Sequence, residues 1–164
     1  MAQETSNAIE LLKQDHRMGE RLFKQFEEVK DNDEDAAAEI IESACAALQI
    51  HDKLETEIFY PGMREQANEE EIEDLLNEAE VEHESVRELI EKIESMAWED
   101  EKLHAYFAVL SEYVKHHVKE EEQEMFPKLN KLEDVDLDAL GAEMTERKAE
   151  LMAEMGIESD ETMA

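Results

Sequence analysis

Two copies of a His-x-x-x-Glu pair are the residues in this sequence best suited to chemistry. The first copy is His51 with Glu55, and the second is His117 with Glu121. A spacing of four residues in a helix places both side chains on the same side, so an imidazole and a carboxylate can ligate together. Imidazole and carboxylate donors without thiolate favour iron, with manganese and zinc as weaker options. The pattern therefore predicts metal-ion chemistry.

Four histidines and two glutamates occupy positions where a helical period calls for a core side chain. Steps of three and four residues keep each apolar series on one helix face. The four series are Ile9, Leu12, His16, Phe23 and Phe26; Ile41, Ala44, Leu48, His51, Glu55 and Ile58; Ile72, Leu76, Ala79, His83, Val86, Ile90 and Ile93; and Leu103, Phe107, Leu110, Val114, His117, Glu121 and Met125. Each series contains one histidine.

Burying these polar groups without a counter-ion would be expensive. One unpaired buried carboxylate costs several kcal/mol, and two of them beside four imidazoles need compensation, which a multivalent cation supplies. A lone histidine on an apolar face is usually a satisfied core residue, so a purely structural bundle is the competing interpretation. That interpretation must explain all six positions together, namely His16, His51, Glu55, His83, His117 and Glu121.

The elements that position these residues are helices. The chain of 164 residues has only four Gly and two Pro and is rich in helix-forming Ala, Leu, Glu and Lys. We expect an all-α fold, with an antiparallel up-down-up-down four-helix bundle over residues 1–130. The second helix should end at Pro61-Gly62 and the fourth near Phe126-Pro127.

Residues 131–164 are expected to form a C-terminal extension. It contains one short amphipathic helix, whose stripe includes Leu137, Leu140 and Met144, followed by a frayed tail from Gly156. The stripe should pack on the bundle or on another subunit, which would allow a homodimer or a partner contact through this helix.

The depth of the histidines within the helices predicts one common layer. His16 lies about ten residues into the first helix, and His51 and His117 each lie ten residues before a proline. At ~1.5 Å per residue, these three share a level about 15 Å from one end of an antiparallel bundle, and His83 falls close to it. The chain reads as two helix hairpins, each offering His and then His-x-x-x-Glu. Two such half-sites suit two metals bridged by carboxylates.

These residues resemble the hemerythrin-like family, the HHE cation-binding domains. The resemblance covers about Ile9 to Pro127 and rests on His16, His51-Asp-Lys-Leu-Glu55 with Phe59-Tyr60-Pro61, Glu82-His83, and His116-His117-Val-Lys-Glu120-Glu121 with Phe126-Pro127. It implies a cofactor of two non-haem iron ions. By that resemblance the terminal ligands are His16, His51, His83 and His117, and the bridging carboxylates are Glu55 and Glu121.

Two positions depart from the oxygen-carrying members of that family. Those members have a second histidine in the third helix, four residues after the first, where this chain has Arg87. Their last bridging acid is an Asp one residue beyond Glu121, where this chain has Glu122. Fewer imidazoles leave more open coordination at one iron, which favours a centre that reacts, senses or releases metal. Whether Asp52, Glu80, Glu122 or His116 joins the ligands is open from sequence, and His116 with Glu120 is an alternative to the second pair.

The leading functional hypothesis is a binding protein whose reduced di-iron centre takes O2, NO or a related small oxidant such as peroxide. The alternative is a di-iron enzyme that reduces peroxide or O2, or handles iron as a ferroxidase, donor or repair protein. Candidate sources of protons or electrons are Tyr60, Tyr106 and Tyr113. A ferritin-like site could use the Glu-x-x-His motifs at Glu80 and Glu101, but it leaves three core histidines unexplained.

Composition narrows the location and the partners. The net charge of −31 comes from 47 acidic and 16 basic residues, and a surface this negative repels nucleic acid and anionic membranes. No apolar run approaches the ~18 residues of a membrane span, and residues 1–9 do not resemble a secretory signal. The single Cys45 excludes an internal disulfide and a thiolate-rich metal site. We expect a cytoplasmic protein.

Overall fold

The part of the chain that the computed structural model describes, residues 7–67 and 70–157, is helical and contains no strand. The helices in chain order are α1 (Ala8–Val29), α2 (Glu34–Leu54), α3 (Tyr60–Ala67), α4 (Glu70–Ser95), α5 (Leu103–Glu120), α6 (Phe126–Asn130) and α7 (Leu137–Glu154). Across these described ranges, none of the helices combines the length and apolar character needed to cross a membrane.

Four helical columns build the bundle, because α2 continues into α3 and α5 continues into α6. The column of α1 packs against α2 and α5, and α4 packs against α2 and α5, which closes a four-membered bundle. Successive columns run antiparallel, so the predicted up-down-up-down arrangement is confirmed. The additional C-terminal helix, α7, is also present.

Side-chain caps define where three of the helices begin. Asn7 accepts a hydrogen bond from the backbone N–H of Glu10, whose side chain accepts one from the N–H of Asn7 in return. This reciprocal capping box satisfies two backbone donors that would otherwise lack partners. Asp33 caps α2 and Asp136 caps α7 in the simpler one-way form. The caps set the register with which each helix enters the bundle.

Two π-helical segments join the halves of the second and fourth columns. The first π segment is Glu55–Phe59, and the second π segment is Glu121–Met125. In each, the backbone N–H that follows the segment bonds to the carbonyl of its first residue, five positions earlier. A π turn holds an extra residue and is frequent at functional sites.

A proline follows each π segment and explains its position. Pro61 and Pro127 are each the second residue after a π segment. In an α-helix the proline ring clashes with the carbonyl four residues earlier, and the wider π turn moves that carbonyl aside. The expectation that the second helix ends at Pro61-Gly62 is therefore wrong, since this column continues through α3 to Ala67. The fourth column likewise continues to Asn130.

The core consists of two apolar clusters stacked along the bundle. The lower cluster includes Leu12, Leu54, Phe59, Met63, Leu76 and Phe126. The upper cluster includes Phe23, Phe26, Ile41, Ile90, Phe107 and Leu110. In every column, the chain crosses from one cluster to the other through the residues predicted to bind metal, so this polar layer is closed above and below by apolar side chains.

The C-terminal helix packs on its own bundle. It contacts α1 and α2, and its buried face belongs to the lower cluster. The buried side chains are Leu140, Met144, Leu151 and Met152. Of the two expected uses of this stripe, the structure shows packing on the bundle, while a homodimer and the domain division at residue 130 stay predictions. The expected frayed tail lies, beyond Ile157, outside the described residues.

Candidate metal centre

The six predicted site residues lie in one layer between the two apolar clusters. One histidine comes from each column, and Glu55 and Glu121 open the two π segments. These two carboxylates are 0% and 1% exposed, values typical of apolar core residues. The histidines are buried or nearly so, with His51 the most accessible of the four. The convergence that helical depth predicts is therefore present.

The layer divides into two groups that share both carboxylates. In each group, one donor atom from every residue lies within 4.8 Å of the others. The first group consists of His16, His51, Glu55 and Glu121, and the second consists of Glu55, His83, His117 and Glu121. Each helix hairpin thus contributes its own histidine pair, while Glu55 and Glu121 belong to both positions. Shared carboxylates are the geometry that bridges two neighbouring cations.

Every histidine directs its Nε2 atom into this layer. The Nε2 of His83 lies 2.8 Å from Glu55 Oε1, and that of His51 lies 3.3 Å from the same oxygen. On the other carboxylate, His16 Nε2 lies 3.1 Å from Oε1 and His117 Nε2 lies 3.2 Å from Oε2. Four imidazoles therefore converge on two carboxylates through equivalent nitrogens.

The opposite ring nitrogen of each histidine is held by another carboxylate. An ionised carboxylate only accepts hydrogen bonds, so each Nδ1 donates its proton outward and leaves Nε2 free to ligate. We name the four carboxylates the acidic ring. Its contacts are His16 Nδ1 to Glu122 at 2.6 Å, His51 Nδ1 to Asp15 at 2.9 Å, His83 Nδ1 to Asp52 at 2.6 Å, and His117 Nδ1 to Glu82 at 2.7 Å.

The acidic ring connects the columns in cyclic order. The acid on α1 holds the histidine of α2, the acid on α2 holds that of α4, the acid on α4 holds that of α5, and the acid after α5 holds that of α1. The sequence analysis left Asp52 and Glu122 as open candidates for ligands and did not single out Asp15. A usable signal existed, because each ring acid is adjacent in sequence to a predicted ligand.

The remaining candidate residues lie outside the layer. Glu80 pairs with Arg64 at 2.8 Å, and His116, which is 64% exposed, lies 2.5 Å from Glu120. Arg87, at the position where a histidine is expected in oxygen-carrying relatives, donates to Asp52 at 2.9 Å. Arg87 therefore supports the acidic ring, and the pair His117 and Glu121 is the one that faces the layer.

Several buried polar atoms in the layer lack a hydrogen-bond partner. They are His16 Nε2, His51 Nε2, both carboxylate oxygens of Glu55, and Glu121 Oε1. A buried polar atom without a partner costs about 1–3 kcal/mol, and more when it is charged. Cation ligation would satisfy all five atoms at once. The donor set, imidazole nitrogen plus carboxylate oxygen without thiolate, fits a pair of transition-metal ions such as iron.

The charges around Glu55 keep its buried carboxylate ionised. Burial opposes the charged form of Glu55, but the charge of His51 and the other imidazoles close to it lower its pKa well below the usual range. Burial also opposes the charged form of His51, yet the charge of Glu55 and the hydrogen bond to Asp15 raise its pKa well above the usual value. The pKa values of His117 and His83 are raised by the same kinds of carboxylate contacts against burial. A negative cluster of this kind attracts cations, whether protons or metal ions.

Tyr60 is the one candidate tyrosine that reaches the layer. Its hydroxyl donates to Glu121 Oε2 at 2.6 Å and lies 3.1 Å from His83 Nε2. Burial and the nearby charges of Glu121 and Glu55 raise the pKa of Tyr60 well above its usual value, so the phenol keeps its proton. Tyr113 is exposed, and the ring of Tyr106 lies below the Lys92 ammonium, away from the site.

An apolar cavity of about 50 Å³ meets the layer from the upper cluster. All four histidines contribute to its lining. Its walls are mostly apolar and include Phe23, Ala44, Ala47, Leu48, Val86 and Val114. A water molecule needs roughly 10–15 Å³ on the same measure, so the cavity accepts a molecule of a few heavy atoms. Tyr60 does not contribute to the lining.

The fold and the layer define a helical bundle that gathers histidines and carboxylates for cation binding. The family model for the hemerythrin HHE cation binding domain matches residues 7–129, and the chain belongs to this family. Its fold is similar to the crystal structure of a hemerythrin HHE cation binding domain-containing protein from Mycobacterium kansasii. The TM-score is 0.74 at 23% identity, over 91% of this chain and 89% of that one. None of the curated proteins matches the sequence.

Proposed function

We propose that this protein binds two non-haem iron ions, bridged by Glu55 and Glu121, and that the centre takes up O2 or NO. The observation that carries the proposal is the shared pair of carboxylates, which belongs to both donor groups and retains unpartnered oxygens. Each group supplies two imidazoles besides the carboxylates, a set that leaves coordination positions for an exogenous ligand.

The apolar cavity supports a small and weakly polar ligand. All four histidines line it, and its mostly apolar walls favour O2 or NO over ions. When bound, reduced iron supplies the electrons and the Lewis acidity that this ligand needs. The chain itself orients the imidazoles through the acidic ring, excludes bulk water through the two apolar clusters, and holds a proton on the Tyr60 hydroxyl.

A second candidate is a di-iron enzyme that reduces peroxide or O2, and Tyr60 favours it. Reduction of either substrate to water consumes protons, and the Tyr60 hydroxyl holds one 2.6 Å from Glu121 Oε2. Multiple turnovers with peroxide, faster than those of free iron under the same conditions, would support the enzyme. Turnover with Fe(II) and O2 would instead support iron handling as a ferroxidase or donor.

We propose a cytoplasmic location, supported by the sequence composition and by Cys45, a buried thiol whose pKa burial raises to about 12. Such a thiol is inert, so it gives no sign of the disulfide chemistry of an oxidising compartment. We propose O2, NO or peroxide as the partner, and neither nucleic acid nor a membrane, because the net charge of −31 repels both. A homodimer through α7 also stays a proposal.

The test begins with metal content and the ultraviolet-visible spectrum of protein expressed with iron. We expect about two irons per chain and oxo-bridged ferric bands, followed by a new absorption band when the reduced protein meets NO or O2 in a stopped-flow mixer. Ala47→Leu narrows the cavity and should slow NO association without lowering iron content. The matched control is Ala105→Leu, which adds the same bulk at an exposed position.

Each result separates one part of the proposal from the others. A wild-type protein that retains no iron, and takes up none when the apoprotein is exposed to Fe(II) without oxygen, would overturn the metal centre. Iron-loaded protein that shows neither an adduct nor oxidation would overturn ligand binding alone. Equal NO association in the two Ala variants would mean that the ligand does not use the cavity.

A further inference from the structure

Each acid of the acidic ring pairs with a basic side chain as well as with its histidine. The arrangement is a chain of three groups, in which the histidine donates to the acid and the acid also pairs with a base. The four acid–base contacts are Asp52 with Arg87 at 2.9 Å, Glu82 with His116 at 3.5 Å, Asp15 with Lys148 at 2.8 Å, and Glu122 with Arg17.

Three of these bases follow a simple rule, and the fourth departs from it. Arg17, Arg87 and His116 each belong to the same helix as the histidine that their acid holds. By that rule the partner of Asp15 would come from α2, which carries His51. It comes instead from Lys148 on α7, a helix outside the four-column bundle.

The contact between Lys148 and Asp15 is well sheltered. The side chain of Asp15 is 8% exposed and that of Lys148 is 20% exposed, far less than a surface ion pair. The two oxygens of Asp15 have different partners, Oδ1 accepting from Lys148 and Oδ2 from His51. A carboxylate held at both oxygens cannot rotate about its last bond, so Lys148 limits the directions available to His51.

The backbone of α7 holds Lys148 in place. Met144 and Leu151, one turn before and about one turn after it, are buried in the lower cluster with Met152. Lys148 is therefore presented by an anchored helix rather than by a mobile tail. On the neighbouring position, Arg147 pairs with Glu57 at 2.9 Å, a contact that involves no ring acid.

We propose that Lys148 is a positioning residue of the metal centre, which orients the imidazole of His51 through Asp15 and makes the C-terminal helix a part of the site. This inference rests on the proposed di-iron centre. Because His51 belongs to the first donor group only, loss of Lys148 should affect the ion held by His16 and His51 more than the ion held by His83 and His117.

The experiment compares full-length wild type with Lys148→Met, Lys148→Arg and Arg147→Met. The Arg147 variant is the matched control, because it removes one cation from the same helix, and its ion pairs with Glu57, Glu150 and Glu154 involve no ring acid. One measurement is the release of iron to a chelator, resolved into its two phases. The other is the set of imidazole nitrogen chemical shifts in chelator-treated protein, from long-range ¹H–¹⁵N spectra, which does not depend on metal.

For Lys148→Met, we expect one of the two irons to be released faster, by on the order of tenfold. Removing a group that hydrogen-bonds a metal ligand typically weakens metal affinity about 10–100-fold, and the lower end applies because Lys148 acts on the ligand through Asp15. The ring-nitrogen shifts of His51 should change while those of His83 stay fixed. Lys148→Arg should restore both properties, and Arg147→Met should match the wild type.

Two results would overturn the role of Lys148. One is release of both irons at wild-type rates from Lys148→Met with unchanged His51 shifts, and the other is an equal effect of Arg147→Met. A wild-type protein that takes up no iron would defeat the proposed function instead. In that case the His51 shifts would still decide whether Lys148 orients the ring.

Discussion

Glu55→Gln is the substitution that most directly separates a metal centre from a structural polar layer. Glu55 is fully buried, belongs to both donor groups, and has neither carboxylate oxygen in a hydrogen bond. Glutamine preserves its size but removes the negative charge and the bridging capacity. The substitution therefore weakens both ion positions while it changes the packing very little.

The size of the effect follows from ligand linkage. An ion present at about 100 times its Kd stabilises the folded state by about 2.7 kcal/mol, so two ions contribute about 5 kcal/mol. For a chain of this length, 1 kcal/mol corresponds to about 2–4 °C in Tm, so iron-loaded wild type should melt about 10–20 °C above the stripped protein. If Glu55→Gln lowers each affinity about 100-fold, each ion contributes only about 0.4 kcal/mol and the gap falls below about 4 °C.

The assay is thermal unfolding of loaded and chelator-stripped samples of three proteins. Glu57→Gln serves as the control, since Glu57 lies in the same π segment but is exposed and pairs only with the surface residue Arg147. We expect the control to keep the gap between loaded and stripped protein. In the stripped state, Glu55→Gln should change stability by no more than about 1–2 kcal/mol, because relief of an unpartnered carboxylate opposes the loss of charge beside the imidazoles.

Two outcomes would refute this reasoning. If Glu55→Gln kept two irons and the full gap in Tm, the carboxylate would not be a shared ligand. If wild type melted at the same temperature with and without iron, the six polar residues would need a structural explanation. In that event Glu55→Gln should also stabilise the protein.

Three further outcomes are expected. Tyr60→Phe should keep both irons but cost about 1–3 kcal/mol in urea unfolding, because Glu121 loses a buried donor; peroxide turnover, if present, should fall in the same variant. Asp52→Asn should weaken iron affinity about 10–100-fold in a chelator competition, because His83 loses the acid that orients it. In stripped protein, the raised pKa values of His51 and His83 stabilise the folded state. This stabilisation is complete below about pH 6.5 and is lost as the pH rises through the pKa values of the folded protein, by up to about 1.4 kcal/mol per pH unit for each group. Iron-loaded protein should show the opposite trend and lose iron and stability as the pH falls, because protons compete with the metal for the same imidazole nitrogens. Urea unfolding of both samples between about pH 5.5 and 8.5 measures the two trends. The same pH dependence of stability in loaded and stripped protein would contradict metal ligation by these histidines.

The columns and the convergence of the six site residues could be predicted because both depend on local periodicity. The histidine in each apolar series breaks the pattern at a depth that antiparallel packing brings to one level, and His16 and His51 illustrate this across α1 and α2. The sequence left His116 with Glu120 as an alternative pair, although Glu121 stands at the same distance before Pro127 as Glu55 stands before Pro61, which favours Glu121. The structure buries Glu121 and leaves Glu120 beside His116.

Local periodicity could not predict the π segments or the pairing of each ring acid with its histidine. A proline such as Pro61 normally ends a helix, and only the packing of α3 against α4 and the first π segment shows that this column continues. The ring acids look like ordinary surface residues in a chain with 47 acidic side chains. Their partners lie on other helices, so the pairing depends on how the columns rotate against one another. Lys148 reaches Asp15 across almost the whole chain for the same reason.

The cyclic order of the acidic ring also has a consequence for biosynthesis. While the chain is being made, the first hairpin emerges with His16, His51 and Glu55, but the acid that orients His16 is Glu122, near the end of the bundle. The nascent hairpin can therefore offer only a partial and poorly oriented set of donors. Metal insertion should therefore follow the synthesis of Glu122, because only then can all four imidazoles be oriented together.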